Sequence, residues 1–326
     1  LGHTDTLVTI ARPGGFLPAG VTLDLFGLDG VRAGSVPVSL AANRSITLRV
    51  SEAFRDFLPD NGAGGRTFEG YIRLTSPVGV VAWQRVETPL FAHVLEAQSL
   101  ADPASVVLAP FFVFGGGYRS TLNLVNPTNE AIAVEITAQR ASGETVGQVV
   151  ARTLEPGQAI RSDVQALFGV VQTAIFPAPV LDGYIRIRVD GSQAVSLVGN
   201  VEVASAGQGA FTQSAMSYSL GPASLGPWIL PLALGGATYY SGLAIVNPNE
   251  LLAVQADVTI EFMRTDGTVA HAEVVSLSPH GQYARVLPEI LESGYIRIRS
   301  TMPIRVVGTL GTRDATGLER LPSLEP

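Results

Sequence analysis

Apolar and polar residues alternate in short bursts along the chain, most clearly at Val254, Ala256, Val258, Ile260 and Phe262, with Gln255, Asp257, Thr259 and Glu261 between them. A period of two sends one set of side chains into a core and the other into water, so the segment reads as a strand with one covered face. The same alternation recurs at Val21, Leu23 and Leu25 and at Ile132, Val134 and Ile136. Each run meets a turn signal, Asp29-Gly30, Ser142-Gly143 or Asp266-Gly267, where glycine supplies the positive φ of a tight hairpin. A returning strand follows and ends at a second turn, Ala42-Asn43, Pro156-Gly157 or His280-Gly281. Beyond that turn the pattern predicts one or two helical turns over 51–58, 162–168 and 287–291, with Ser51 and Ser162 as N-caps.

The order of these elements repeats three times. Gly70-Tyr71-Ile72-Arg73, Gly183-Tyr184-Ile185-Arg186 and Gly294-Tyr295-Ile296-Arg297 recur about 110 residues apart, a period that marks an internal repeat. Leu122-Asn123-Leu124-Val125-Asn126-Pro127 matches Leu243-Ala244-Ile245-Val246-Asn247-Pro248, and more loosely Val8-Thr9-Ile10-Ala11-Arg12-Pro13. A further apolar strand closes each copy, over 78–86, 194–203 and 304–310. The joints between copies, 107–118 and 228–239, are alike and predict one extra strand ahead of the second and third copies. Copy one has no counterpart after Leu1, so its sheet is expected to be one strand short. Many short strands with regular turns and almost no helix predict an all-β fold of three tandem antiparallel Ig-like β-sandwich modules, spanning 1–102, 103–222 and 223–326, each with a short helical turn.

An apolar strand into Gly115-Gly116-Gly117-Tyr118, then Leu122 to Pro127, a turn glycine and Gly183-Tyr184-Ile185-Arg186, resembles repeat modules found in tandem in secreted and surface proteins of bacteria. The resemblance covers most of the chain and implies an exported, non-enzymatic protein; no catalytic or ligand residues come with it.

Composition narrows the function classes. Hydrophobic residues make up 46% of the 326 residues and charged residues 15%, which is too apolar for disorder. No apolar run reaches the length that spans a bilayer as a helix, so no membrane span is expected. A net charge of −7 argues against a nucleic-acid partner, which needs a clustered basic surface. The chain has no cysteine and no lysine, and all 21 basic residues are arginine. Thiol nucleophiles, disulfides, thiolate zinc sites and Schiff-base chemistry are thereby excluded. A start at Leu1 without a charged-then-apolar leader fits a mature protein after signal cleavage, and the expected location is extracellular or at the cell surface.

The remaining candidates for chemistry are sparse. Among His3, His93, His271 and His280, the last two flank one predicted strand, with no acidic cluster of metal-binding spacing beside them. No Gly-x-Ser-x-Gly elbow occurs, and the carboxylates are scattered over strand faces and turns. Gly115 to Gly117 form either an anion-binding nest or a sharp turn, the turn being favoured. Arg73, Arg186, Arg188, Arg297 and Arg299 lie on equivalent strands, as a row facing an anionic surface polysaccharide or as a solvated strand face. The side on which Tyr71, Tyr184 and Tyr295 sit is open. No enzyme, cofactor or metal is expected.

An incomplete first sheet points to assembly. The expected role is a structural subunit of an extracellular filament or surface assembly, polymerising with copies of itself head to tail by strand complementation. The candidate interface comprises Leu7, Val8 and Ile10 on the first strand and Leu318, Leu321 and Leu324 in the tail 313–326. The same tail also aligns with 91–100, which would make it the last strand of the third copy. The alternative is a monomeric adhesion or glycan-binding protein, for which only Trp83 and Trp228 offer tryptophan platforms.

Overall fold

The computed structural model describes residues 5–60, 68–87, 92–101, 103–171, 180–191, 194–205, 214–232, 239–250, 254–287, 294–313, 319–320 and 323–324. The fold is all-β, and every strand pairing is antiparallel. The first repeat contributes β1 (Asp5–Arg12), β2 (Ala19–Gly27), β3 (Arg32–Leu40), β4 (Arg44–Arg49), α1 (Val50–Ala53), β5 (Gly70–Thr75), β6 (Val81–Glu87) and β7 (Ala92–Glu96). They form two sheets, ordered β4-β1-β6-β7 and β3-β2-β5.

The second repeat contributes β8 (Val106–Phe114), β9 (Tyr118–Val125), β10 (Ile132–Gln139), β11 (Thr145–Leu154), β12 (Ala159–Asp163), α2 (Val164–Leu167), β13 (Leu181–Val189), β14 (Val198–Ser205) and β15 (Ser214–Ser219). Its sheets are β12-β9-β14-β15 and β11-β10-β13-β8. The third repeat contributes β16 (Trp228–Leu232), β17 (Tyr239–Val246), β18 (Ala256–Met263), β19 (Val269–Leu277), β20 (Gln282–Val286), β21 (Gly294–Ser300), β22 (Arg305–Arg313), β23 (Glu319–Arg320) and β24 (Ser323–Leu324). Its sheets are β20-β17-β22-β23, with β24 also on β22, and β16-β21-β18-β19.

The alternation read from the sequence faces inward as expected. Val21, Leu23 and Leu25 of β2 meet Val8 and Ile10 of β1 and Ala82 of β6 in one apolar cluster, so the two sheets of the first repeat share a core. Leu122, Leu124, Val201 and Val203 face Ile136, Ala138, Ile185 and Ile187 in the second repeat. Leu243, Ile245 and Val306 face Val258, Ile260, Ile296 and Ile298 in the third. The second of these clusters runs on into Ala244 and Val307 of the third repeat.

Gly30, Gly143 and Gly267 hold φ of +80°, +85° and +83° in the first hairpin turn of each repeat. The second turn is closed by a left-handed residue too, at Asn43, Gly157 and His280. In the third repeat it is the histidine, not the adjacent Gly281, that takes this conformation. Gly115, Gly116 and Gly117 all have positive φ and carry the chain from β8 in one sheet to β9 in the facing one. The Gly115 N–H donates to the Tyr118 carbonyl and the Tyr118 N–H to the Gly115 carbonyl, so this is the turn and not a nest. Pro110 sits on β8 at a bulge where the register shifts between Gly183 and Ile185, a place where a strand tolerates proline.

The helix caps differ from those expected by sequence. The N-cap of α2 is Asp163, whose carboxylate accepts the Ala166 N–H at 2.9 Å. Ser51 lies inside α1 and its hydroxyl instead donates to Asp5 at 2.7 Å. A caps candidate is a short polar residue beside the first turn, and Ser162 and Asp163 both qualify; the carboxylate is the better acceptor. Residues 288–293, which cover most of the third predicted turn, lie outside the described residues.

Candidate assembly interface

The strand supplied by each joint pairs with the Gly-Tyr-Ile-Arg strand of its repeat: β8 flanks β13, and β16 flanks β21. The equivalent strand β5 pairs with β2 on one side and, among the described residues, with nothing on the other. The consequence shows in burial. Ile185 and Ile187 are fully covered and Ile296 and Ile298 nearly so, whereas their counterparts Ile72 and Leu74 are only partly buried. In β8 the covering partners are Ala109 and Val107, in β16 Leu230 and Trp228. An edge of this kind presents a row of N–H and C=O groups next to half-covered apolar side chains.

Leu7, Val8 and Ile10 do not form that edge. They lie on β1, which is flanked by β4 and β6, with Val8 and Ile10 in the core. Sequence reasoning placed the gap beside the first strand because the joint precedes that strand in the chain. The glycine turn sends the joint strand into the opposite sheet, so the gap falls at β5. Leu324 lies on β24, opposite Gly308 of β22. β23 and β24 therefore take the place beside β22 that β7 holds beside β6 and β15 beside β14. Leu318 and Leu321 lie outside the described residues.

The repeats meet through the Gly-Tyr-Ile-Arg tyrosines, whose direction the sequence left open. Tyr71 donates its hydroxyl to the Gly157 carbonyl at 2.8 Å, and Tyr184 donates to the His280 carbonyl at 2.9 Å. Both acceptors are the left-handed residue in the second turn of the following repeat. Backbone contacts accompany them: the Ala159 N–H donates to the Leu28 carbonyl at 2.8 Å and the Gln282 N–H to the Ala141 carbonyl at 3.1 Å. Gly30 and Gly143 lie against those same turns. A Cβ on Gly30 would come within 2.6 Å of the Gly157 backbone, and one on Gly143 within 3.1 Å of His280. The second junction is further sealed by Gln282, which donates to the Pro110 and Gly183 carbonyls at 2.6 and 3.1 Å, where the bulge leaves them available. Arg186 pairs there with Glu250, and Val246 packs on Tyr184 and Leu108.

Burial at this junction pushes the Tyr184 phenol well above its ordinary range, so it stays a hydrogen-bond donor at any physiological pH. Tyr184→Phe removes the hydroxyl, whose one proton is shared between the His280 carbonyl and the Gln139 amide oxygen, and is expected to cost about 1–2 kcal/mol in a urea melt.

The arginine row is neutralised. Arg73 lies 3.8 Å from Asp24 and over the Phe26 ring, Arg188 pairs with Glu135, and Arg297 and Arg299 share Glu261 at 2.6 and 3.3 Å. Its hydrogen bond from Arg297 holds the Glu261 carboxyl below the ordinary carboxylate value. A lowered folded value means that the pair stabilises the fold above about pH 4.5 and that this contribution fades as pH falls through the lowered value. Glu261→Gln is therefore expected to lose less of its melting temperature than the wild type between about pH 6 and pH 3.

No group of three or more metal-ligating side chains occurs among the described residues. His271 lies against the Phe262 ring and His280 serves the junction; His3 lies outside the described residues. The face of Trp228 is taken by Arg305, 5.7 Å from its ring centre. A shallow hollow of about 300 Å³ lies over Glu135, Arg152, Arg188 and Asp190 and has no aromatic wall. No helix is long and apolar enough to cross a membrane among the described residues. The sequence matches no protein-family model and no curated protein.

Proposed function

We propose that this chain is a structural subunit of an extracellular or cell-surface filament, built of three Ig-like β-sandwich modules at 1–102, 103–222 and 223–326. Neighbouring copies join head to tail by strand complementation. The observation that carries this reading is the side of β5, next to Ile72 and Leu74, that has no partner among the described residues, where both sister strands have one. A strand from a neighbouring copy satisfies the free backbone groups and buries both side chains. A contact between unlike surfaces of identical copies does not close on itself, so it propagates. The likeness of the repeats to modules of bacterial secreted proteins supports the extracellular setting.

The test is to fill the edge from within. A second copy of residues 106–117 placed ahead of residue 4 puts a joint strand and its glycine turn where the other two repeats have theirs. Negative-stain electron microscopy is expected to show filaments of the original chain and isolated particles of the grafted one. Filaments from both would remove strand complementation as the mechanism. Isolated particles from the original chain at every concentration would remove self-assembly and favour the monomeric glycan-binding reading.

A further inference from the structure

The two junctions within the chain use the same set of contacts, and the first and third repeats each carry one half of a third. The giving half consists of the first hairpin turn and the Gly-Tyr-Ile-Arg tyrosine: Leu28, Gly30 and Tyr71 in the first repeat, Ala141, Gly143 and Tyr184 in the second. In the third repeat the same positions are Thr265, Gly267 and Tyr295. The turn is built alike, with Arg264 N–H donating to the Thr268 carbonyl and Gly267 N–H to the Arg264 carbonyl, as Arg140 and Gly143 do. Here, however, Thr265 and Gly267 are exposed, and a Cβ on Gly267 would meet nothing within 4 Å. The surface that is occupied twice is open at the third repeat.

The receiving half is the second turn and the first residue of the strand after it: Gly157 with Ala159, and His280 with Gln282. In the first repeat these positions are Asn43 and Ser45. Asn43 holds φ +55°, beside +72° at Gly157 and +59° at His280, so its carbonyl is set by the same turn geometry. Ser45 pairs with Ala11 in the register that Ala159 keeps with Val125 and Gln282 with Val246. Its counterparts point their N–H across the junction, and β4, like β12 and β20, is a sheet edge. Asn43 and Ser45 are exposed, whereas Ala159 and Gln282 are buried.

A second observation falls on the same face. In the third repeat the loop after β17 reaches back onto the second, where Glu250 pairs with Arg186. The matching loop of the first repeat holds Phe16 and Leu17, which are 101% and 75% exposed, the two most exposed large apolar side chains in adjacent positions of the described chain. Isolated apolar residues on a surface are ordinary, but this pair sits where, in the third repeat, the matching loop reaches the preceding repeat.

We propose that the third repeat of one copy docks on the first repeat of a second copy through these two surfaces, Tyr295 donating to the Asn43 carbonyl and the Ser45 N–H donating to the Thr265 carbonyl. The occupant is a second copy of this chain, because the contact continues an interface that the chain already forms with itself twice. The inference rests on the head-to-tail assembly proposed above and gives it a direction and a register. The strand at β5 and the turn contact are separate surfaces, so each can fail alone. Within the chain the contact is helped by the tether; between chains it is not, and association depends on concentration.

Sedimentation velocity of the full chain from about 1 to 300 μM, the range in which a contact of this size is read, tests it with two variants. Gly267→Asn keeps the left-handed turn, which asparagine tolerates, and places a side chain where the Asn43 turn of the next copy would lie. It is expected to fold and melt like the wild type and to lose at least tenfold in association. Tyr295→Phe removes one hydroxyl and is expected to weaken association about fivefold with the melt unchanged. Wild-type chains that associate while Gly267→Asn chains associate equally well would overturn this interface and leave assembly standing. Wild-type chains that stay monomeric throughout would overturn both.

Discussion

Replacing Ile185 by alanine is expected to cost about 3–4 kcal/mol, and the same change at Ile72, its counterpart in the first repeat, only about 1 kcal/mol. Ile185 is fully buried between β10 and β8, and its loss leaves a cavity that packed strands on both sides cannot close. Ile72 has β2 on one side and, among the described residues, no strand on the other; it is only partly buried, so the transfer term shrinks. Hydrogen exchange read by mass spectrometry places the effect, with Ile185→Ala loosening residues 106–189 and leaving β1 to β6 protected. The comparison also reports on assembly. In the chain grafted with residues 106–117, the cost of Ile72→Ala should rise towards that of Ile185→Ala, because the added strand completes the same surroundings; the rise is a coupling that a double-mutant cycle measures. An unchanged cost in the grafted chain would mean that the strand does not seat beside β5.

The contrast between the two isoleucines separates what was legible in the sequence from what was not. Alternation at Val254 to Phe262, the hairpin glycines and the period of the Gly-Tyr-Ile-Arg strands are local signals, and they placed strands and turns. Partnership across the fold is not local. Nothing near Val106 to Phe114 says that this strand pairs with β13 rather than with the strand that follows it, and only the three left-handed glycines carry it to the other sheet. That one crossing moved the open edge from β1 to β5, away from Leu7, Val8 and Ile10. The tyrosines were visible as a repeat, yet their role was hidden, because the partner of Tyr71 is a backbone carbonyl 86 residues away whose residue type does not matter. A tyrosine recurring beside a glycine that tolerates no Cβ was the one available hint: a Cβ on Gly183 would lie 2.0 Å from the Gln139 carbonyl oxygen. The N-cap of α2 was misplaced by a single residue for a plainer reason, Ser162 and Asp163 both being competent to cap.

Asn126→Ala is expected to be of similar severity, about 3 kcal/mol, although it removes no apolar contact. In the sequence the Asn-Pro pair stands out only as part of the segment that recurs at Asn247-Pro248. In the structure Asn126 is fully buried, and its Nδ2 donates to the carbonyls of Glu130, Leu154 and Glu155 at 2.7, 2.9 and 3.1 Å. Its Oδ1 accepts from the Thr128 N–H and hydroxyl at 3.0 and 2.7 Å. One amide thereby ties the end of β9, the loop after it and the end of β11. Asn247 does the same in the third repeat, donating to Val254, Leu277 and Ser278. Alanine leaves these groups without partners away from water, and the penalty is that of desolvation rather than of lost packing. Aspartate at the same place sharpens the test. It fills the same volume but turns two donors into a charged acceptor facing three carbonyl oxygens, which raises the carboxyl's folded pKa above its unfolded value. A raised folded value means that the Asn126→Asp chain should be least stable at neutral pH and recover part of the loss as pH falls through that value, opposite in sign to the Glu261 effect. Thermal melts of Asn126→Ala and Asn126→Asp at about pH 7 and pH 4.5 decide it: a deficit that narrows in acid for aspartate alone fixes the amide as a donor, and equal deficits at both values would reduce it to a space-filler.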